Sequence, residues 1–331
     1  IGPYWPPRAI LCGGNDSVMQ FLFDIMDEVC ELFPYEYIHI GGDEATKDNW
    51  RRCPLCQSRI RSLSLNGEEG LQSWMIRRVE QYLATKGKRI IGWDEMLDGG
   101  VSQEATVMVW RGENENIVGE VMSTHQRVVM AAQHGNHVIM TPVDYCYHNF
   151  YQANPDYSIP YQPGFVSLRK AYHFDPAANL TPAQARFVMG GQSNLWAEYI
   201  NTTENAEIKL LPRMLAAAEC LWTPLDRKDW PRFRAKVERH KLRLSALGYA
   251  YGESSFKPEL TITRPEKKLC RVELDWCQEG TDIYFTLDGS EPNLSSPHYE
   301  APFTCAPGTI LRTASYYQGE LKEEIYTFEI K

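Results

Sequence analysis

The sequence predicts an α/β fold, a (β/α)8 TIM barrel, followed by a small all-β sandwich. As far as residue 247, short apolar segments alternate with helical patterns, and each apolar segment ends in polar and aromatic residues. Beyond Pro258 the helical patterns stop, and short alternating segments separated by turns replace them. Polar residues gathered after successive parallel strands are typical of barrels, whose active sites lie at the C-terminal ends of the strands.

Five strand–helix units can be read in the barrel region. Apolar residues recur at intervals of four in the first two helices, which indicates one apolar face on each. These faces consist of Phe21, Ile25 and Val29, and of Leu71, Met75, Val79 and Leu83. The predicted strands are residues 36–40, 89–92, 106–109, 137–140 and 187–193, and the predicted helices are 17–33, 71–83, 117–133, 204–222 and 230–247. Asp16 and Ser17 are the expected cap of the first helix.

The strand count sets the expected domain organisation. A closed barrel of this type has eight strands, and residues 1–16 are too few to hold three further units. We therefore expect a barrel that lacks its first three strand units at residues 1–257, and a β-sandwich at residues 258–331. An open, doubly wound sheet is the alternative, although no glycine-rich phosphate loop supports it.

The β-sandwich is expected from four alternating segments and one turn. The segments are 271–276, 282–287, 310–316 and 324–330, and the turn is 288–292. Tyr284, Tyr299 and Tyr317 are the candidates for exposed aromatic side chains that would contact a glycan. A purely structural domain is the alternative.

Composition excludes several partners. The 331-residue chain has a formal net charge of −9, which argues against nucleic acids and anionic membranes. No apolar run approaches the ~20 residues that span a bilayer. The nine scattered cysteines do not indicate a disulfide framework. Cys53-Pro54-Leu55-Cys56 has the spacing of a zinc half-site or a redox pair, but no second pair or histidine stands nearby in the sequence. We therefore expect a helix start with buried thiols, and neither metal nor cofactor.

Adjacent carboxylates, Asp43 and Glu44, follow the first predicted strand in the run His39-Ile40-Gly41-Gly42-Asp43-Glu44-Ala45. Two close acids push their pKa values apart, so one can act as a general acid while the other stays ionised. A helix N-terminus that favours acids is the alternative. Ordinary two-carboxylate glycosidases separate their acids by roughly 5 Å or more. Adjacency better suits a substrate-assisted reaction, in which the acetamido oxygen of an N-acetylated sugar attacks the anomeric carbon.

The same run resembles the signature of the β-N-acetylhexosaminidases of glycoside hydrolase family 20. Four more motifs continue the resemblance in order, and together they cover residues 5–247: Gly92-Trp93-Asp94-Glu95, Val109-Trp110-Arg111-Gly112, Tyr147-His148-Asn149 and Trp196-Ala197-Glu198. Residues 285–292 are similar to the C-terminal β-domain attached to many bacterial members. The resemblance implies an enzyme that releases terminal β-linked N-acetylglucosamine or N-acetylgalactosamine with retention, through an oxazolinium intermediate.

The resemblance also implies a role for each matching residue. Glu44 would be the general acid and later the general base, Asp43 would orient the acetamido group, and Tyr147 would donate its hydroxyl to the acetamido oxygen. The expected substrate-binding residues are Trp93, Trp110, Asn149, Trp196 and Glu198. Asn149 stands where the family usually has an acid, and core packing is the alternative role for the tryptophans.

The missing barrel front leaves a second hypothesis open. The chain could be an inactive fragment, or a carbohydrate-binding remnant that needs the N-terminal part of the same barrel as its partner. In both cases the expected ligands are glycans that contain N-acetylhexosamine. The family suggests a secreted, periplasmic or cell-surface location, although no targeting signal is visible in this sequence.

Overall fold

The computed structural model describes residues 10–112, 122–153, 161–266 and 268–331. The chain divides into two compact units. Unit 1 comprises Ile1–Asp144 and Asp175–Gln192, and unit 2 comprises Tyr145–Phe174 and Ser193–Lys331. Among the described helices, none has the length and apolar character needed to cross a membrane.

Unit 1 contains a five-stranded parallel sheet. Its strands, in spatial order, are β1 (Tyr37–His39), β2 (Arg89–Trp93), β3 (Thr106–Val109), β4 (His137–Met140) and β7 (Val188–Gly191). Every neighbouring pair is parallel, so the C-terminal ends of all five strands lie at one edge of the sheet. The five predicted strands are thus confirmed, with ends that move by at most two residues.

The helices of unit 1 precede or connect these strands along the sequence. They are α1 (Asp16–Leu32), α2 (Asp48–Arg52), α3 (Pro54–Ser62), α4 (Gly67–Thr85), α5 (Thr124–His134) and α8 (Pro182–Ala185), and the short α6 (Val143–Cys146) joins the two units. As predicted, α4 buries Leu71, Val79 and Leu83. The start of the predicted helix 117–133 lies outside the described residues as far as residue 121.

The first helix forms where predicted, but its predicted apolar face is wrong. Phe21 is 55% exposed and Ile25 is 38% exposed, whereas Met19 is buried. Phe23 stacks on Tyr82 of α4 with ring centroids 4.3 Å apart. The apolar residues form one wide face that covers more than half of this helix, and the acidic residues share the other side. A single series at intervals of four therefore does not identify which part of the wide face is buried. The cap is also one residue earlier than expected, at Asn15.

Unit 2 begins with short elements and continues with two longer helical stretches. Its elements before the β-strands of the C-terminal region are β5 (Phe150–Tyr151), β6 (Gln162–Phe165), α7 (Leu168–Tyr172), α9 (Thr203–Leu210), α10 (Arg213–Trp222) and α11 (Trp230–Leu247). The prediction of one helix over 204–222 is wrong. Leu211 is extended and Pro212 has no N–H to donate, so the helix ends and a new one starts.

The C-terminal region forms two three-stranded antiparallel sheets, in the orders β10-β12-β13 and β11-β9-β8. The strands are β8 (Glu259–Glu266), β9 (Leu269–Asp275), β10 (Thr281–Thr286), β11 (Phe303–Cys305), β12 (Ile310–Tyr317) and β13 (Glu320–Glu329). Val272, Ile283 and Leu311 contribute to one core between them. Tyr299 belongs to that core, where its hydroxyl accepts from the Leu274 N–H at 2.9 Å, so its expected exposure is wrong. The domain boundary at residue 258 stays a prediction.

Candidate active site

A glycine turn at the C-terminal end of β1 carries the adjacent acids. Gly41 and Gly42 have φ of +72° and +99°, and Glu44 also has a positive φ, +48°. Glycine adopts this left-handed region without steric cost. The turn is held on both sides, because the Trp93 N–H donates to the Gly41 carbonyl at 2.9 Å and the Gln72 side chain donates to the Gly42 carbonyl at 2.8 Å. The two glycines and these two hydrogen bonds therefore together fix the path of the backbone that carries the acid pair.

Strand β2 approaches this turn closely because Gly92 has no side chain. A Cβ atom at position 92 would lie 2.9 Å from the Gly41 carbonyl oxygen and even closer to the Met96 sulfur. Such distances are shorter than side-chain carbon atoms tolerate. Gly92 is thus required by the packing of β2 against the turn.

Buried charged side chains follow β2 and β3. Asp94 and Glu95 start a 3₁₀ helix, Asp94–Leu97, and Arg111 follows β3 by two residues. The Arg111 Nε lies 3.2 Å from an Asp94 carboxylate oxygen, and its Nη2 lies 3.3 Å from Glu95 Oε1. The fully buried Asp94, together with Glu95 and Arg111, is shielded from solvent. Nearby, Asp98 pairs with Arg127. We call Asp94, Glu95, Asp98, Arg111 and Arg127 the charged cluster.

Glu95 connects the charged cluster to the predicted site. Its Oε1 accepts a hydrogen bond from the Glu44 backbone N–H at 3.3 Å. Its Oε2 accepts from the Trp110 indole N–H at 3.1 Å. The Trp110 ring meets Trp93 edge to face, with centroids 6.5 Å apart, and both rings are largely buried. Glu95 therefore holds the backbone of the acid pair and one predicted aromatic wall at the same time.

Two carboxyl groups in this region have raised pKa values. Burial raises the pKa of Asp94, the negative charge of Glu95 adds to the rise, and Arg111 and Arg127 oppose it. The Asp43 carboxyl reaches solvent, yet the protein around it raises its pKa above the ordinary 3.8 by desolvation, and Glu95 again adds to the rise. The site thus favours the protonated form of Asp43 more than water does.

Tyr147 belongs to unit 2, in the segment that follows β4 in sequence. Its backbone pairs in parallel with Asn194, in the segment that follows β7, and the His148 N–H donates to the Asn194 carbonyl at 2.8 Å. The Tyr147 ring lies 6.2 Å from the ring of Trp196, centroid to centroid. Trp196 is 39% exposed, so it has apolar surface available to a ligand. Glu198 is exposed as well.

Arg213 supports the Tyr147 segment from within unit 2. Its fully buried guanidinium donates to the carbonyls of His148, Phe150, Val166 and Lys209, with distances of 3.0, 2.9 and 2.7 Å for the last three. Burial lowers the pKa of Arg213 to about 9. Asn149, which lies between two of the residues so held, is almost fully buried. The position of residues 148–150 therefore depends on a cation from α10.

The structure distributes the predicted site residues over the two units. Unit 1 holds the acid pair with Trp93 and Trp110, and unit 2 holds Tyr147, Asn149, Trp196 and Glu198. The role of each of these residues stays a prediction. Sequence reasoning assigned no role to Glu95, Arg111 or Arg213. Glu95 and Arg111 stand inside the quoted motifs at the ends of adjacent strands, which was an available signal, whereas Arg213 is one basic residue in a helical pattern and gave none.

Comparison with known families identifies the chain. The model of the glycosyl hydrolase family 20 catalytic domain matches residues 4–225, and an "Fn3 associated" model matches residues 272–330. Because the first match covers most of the chain, the chain belongs to glycoside hydrolase family 20. The parallel α/β sheet therefore belongs to a TIM-barrel-type domain, which a C-terminal β domain follows.

Individual relatives agree with this family. The β-hexosaminidase of Porphyromonas gingivalis is 39% identical over 94% of this chain, and the β-hexosaminidase of Akkermansia muciniphila is 26% identical over 71%. The family 20 exo-β-N-acetylglucosaminidase of Vibrio harveyi superposes with a TM-score of 0.64 at 27% identity over 74% of this chain, and the β-N-acetylhexosaminidase of Bacteroides fragilis with 0.63 at 29% over 75%. The chain spans 39%, 45%, 37% and 49% of these four proteins, respectively.

Proposed function

We propose that this chain supplies the catalytic acids of an exo-acting β-N-acetylhexosaminidase, which removes terminal β-linked N-acetylglucosamine or N-acetylgalactosamine from glycans. The observation that carries this proposal is the pair Asp43–Glu44 on a glycine turn at the C-terminal end of β1, in a family 20 chain. The Vibrio harveyi relative was crystallised with N-acetylglucosamine. That sugar supports the choice of substrate class here.

The first chemical step in this proposal is attack by the substrate on itself. The acetamido carbonyl oxygen bonds to the anomeric carbon, the bond from that carbon to the leaving oxygen breaks, and Glu44 gives its proton to the leaving oxygen. Asp43 accepts a hydrogen bond from the acetamido N–H, and its negative charge stabilises the oxazolinium that forms. The Tyr147 hydroxyl donates to the acetamido oxygen and so aims it.

The second step returns the enzyme to its starting state. The Glu44 carboxylate takes a proton from water, and the water oxygen bonds to the anomeric carbon on the face that the first leaving group had occupied. The bond between the anomeric carbon and the acetamido oxygen breaks as this bond forms. Two inversions give net retention, and Glu44 is again protonated.

The remaining residues would bind the sugar without taking part in bond changes. Trp196 offers exposed ring surface. Trp93 and Trp110 would contribute apolar walls for the N-acetyl methyl and the sugar ring. Glu198 and Asn149 would accept or donate hydrogen bonds to hydroxyl groups. Core packing remains the competing role for Trp93 and Trp110, because both are largely buried.

We further infer that the five-stranded sheet is part of an eight-stranded barrel. The order β1-β2-β3-β4-β7 leaves β1 and β7 as edges within the described sheet, which is where further strands would pair. The family membership supports this inference, and the N-terminal part of the barrel would then be a partner for folding. A secreted, periplasmic or cell-surface location suits a glycan substrate and is part of the proposal.

Replacement of Glu44 by glutamine tests the assignment of the acid. In the full-length protein, kcat/KM on a 4-nitrophenyl β-N-acetylglucosaminide should fall by about 10²–10⁴, which is the usual contribution of a general acid. Glu104→Gln is the matched control, because Glu104 is 82% exposed on its side chain. Normal turnover by Glu44→Gln would reject the assignment.

The substrate-assisted route has its own test. A trifluoroacetamido substrate should react more slowly than the acetamido substrate, because fluorine makes the carbonyl oxygen a weaker nucleophile. Equal rates for the two substrates, with chemistry rate-limiting, would show that the acetamido group is not the nucleophile. Efficient hydrolysis of glycosides that lack the acetamido group would lead to the same conclusion.

A further inference from the structure

Three cysteine side chains from two distant segments converge in unit 1. Cys12 precedes α1, whereas Cys53 and Cys56 lie at the start of α3. The Cys12 sulfur lies 3.7 Å from the Cys53 sulfur and 3.6 Å from the Cys56 sulfur. Within the described ranges, these are the one group of three or more His, Cys, Asp or Glu side chains whose ligand atoms all converge within 4.8 Å.

Both separations from the Cys12 sulfur match those of a zinc–thiolate site. With Zn–S bonds of about 2.3 Å in a tetrahedron, two thiolates lie about 3.8 Å apart. A disulfide would require two sulfurs at about 2.05 Å. All nine cysteines of the chain are free thiols in this structure. The distances therefore fit a shared metal ion better than any pair of oxidised cysteines.

We propose that Cys12, Cys53 and Cys56 bind one zinc ion through three thiolates. The described residues bring no fourth His, Cys, Asp or Glu ligand atom into the group, so water takes the fourth position of the tetrahedron. The Cys-Pro-Leu-Cys spacing is that of a zinc half-site. The sequence predicted no metal, because the third ligand is 41 residues from Cys53 and cannot be recognised from spacing.

The loop that carries Cys12 is held in place by contacts that do not involve the thiols. The Trp50 indole N–H donates to the Leu11 carbonyl at 2.8 Å, and the Arg59 guanidinium donates to the Gly14 carbonyl at 3.2 Å. A Cβ atom on Gly14 would overlap the backbone of Leu55, so this loop approaches α3 only because residue 14 is glycine. The ligand positions are therefore prepared before any ion binds.

The three thiols also lie in largely apolar surroundings. Cys56 is fully buried, and it packs with Trp50 and Leu71 in a small apolar cluster. An apolar shell limits access of water and of competing ligands to zinc thiolates. Cys53 follows Glu44 by nine residues. A zinc ion here would fasten the segment that leaves the acid pair to the segment that enters α1.

Metal content of the purified chain tests the proposal directly. After purification without a chelator, elemental mass spectrometry should find one zinc ion per chain. Each of the variants Cys12→Ser, Cys53→Ser and Cys56→Ser should lose that zinc ion. Cys30→Ser is the matched control, since Cys30 is a partly buried thiol outside the group. Cobalt(II) in place of zinc should give thiolate-to-metal charge-transfer absorption and the visible bands of a tetrahedral site.

A second measurement on the unaltered chain avoids reliance on variants that fail to fold. Alkylation of the folded chain should spare Cys12, Cys53 and Cys56 when zinc is present and should modify them after a chelator is added, as read by peptide mass spectrometry. Alkylation that does not depend on the chelator would overturn the proposal. Absence of zinc after dialysis against stoichiometric zinc, or a mass lower by two hydrogens that locates a disulfide among the three, would overturn it as well.

Discussion

Replacement of Glu95 by glutamine tests how the acid pair is positioned. The largely buried Glu95 carboxylate receives three donors: the Glu44 N–H at 3.3 Å, Arg111 at 3.3 Å and the Trp110 indole at 3.1 Å. The first two meet one carboxylate oxygen and the third meets the other. A glutamine amide has a single acceptor oxygen, so it cannot satisfy both groups of donors. The variant keeps the size of the side chain and removes one contact by necessity.

Two opposing effects determine the loss of stability in this variant. Removing one partner of a buried ion pair usually costs about 3–5 kcal/mol. That cost does not apply in full here, because Arg111 keeps a second partner, Asp94, at 3.2 Å. The repulsion by which Glu95 raises the pKa of Asp94 also disappears, which stabilises the variant. One unsatisfied indole N–H costs about 1–3 kcal/mol. We therefore expect the free energy of unfolding to fall by only about 1–2 kcal/mol, since the relief of repulsion offsets part of that cost.

The effect on catalysis should be larger than the effect on stability. A displacement of about 1 Å at a positioned group can reduce the rate about 10²-fold, so we expect kcat/KM to fall about 10–100-fold, mainly through kcat. Glu95→Asp keeps the charge but withdraws the carboxylate by one methylene, and it should be similarly impaired. Glu104→Gln serves as the exposed control. Unchanged kcat/KM in Glu95→Gln, or full activity in Glu95→Asp, would refute a positioning role, provided that urea unfolding confirms folded protein.

Three further predictions concern pH and packing. Desolvation raises the pKa of Asp43 above 3.8, and the proposed mechanism requires its ionised form. We therefore expect kcat/KM to fall on the acid side with a midpoint above pH 3.8, and the pH profile of Asp43→Asn should lack that limb. Gly92→Ala should lower kcat/KM at least about tenfold by displacing the Gly41 carbonyl, and a wild-type rate would contradict the packing argument. Arg213→Met should lower the free energy of urea unfolding by about 2–4 kcal/mol, because several buried carbonyls lose a charged donor. The exposed control Arg239→Met should change it by less than about 0.5 kcal/mol.

The central strand β3 could be predicted because a buried parallel strand has a strong local pattern. Thr106–Val109 is buried at every position, so it reads as a continuous apolar segment between polar boundaries. The presence of the helices could be predicted, but their ends and their buried faces could not. The break at Pro212 overrides a continuous apolar pattern, and the buried face of α1 depends on contacts such as Phe23 with Tyr82. Those contacts are tertiary, and no local period encodes them.

The same limit applies to the candidate site. Asp43 and Glu44 could be proposed as catalytic acids because both acids and the glycines that turn the chain stand in one short run. The partners that hold them could not be assigned, because Glu95 meets Glu44 across 51 residues of sequence. The same holds for Cys12, whose partners lie in another helix. Charge in a sequence shows which side chains can pair, whereas only the fold shows which of them do.

The composition of the charged cluster explains why burial raises the pKa of Asp94 despite two arginines nearby. Among the residues that the structure describes, three acids, Asp94, Glu95 and Asp98, face two cations, Arg111 and Arg127. The excess negative charge is most costly at the acid with the least solvent, and Asp94 is fully buried. A proton held on Asp94 would bring the cluster to neutrality and leave Glu95 to accept from Glu44 and Trp110. Glu95 would keep its negative charge and would continue to raise the pKa of Asp43.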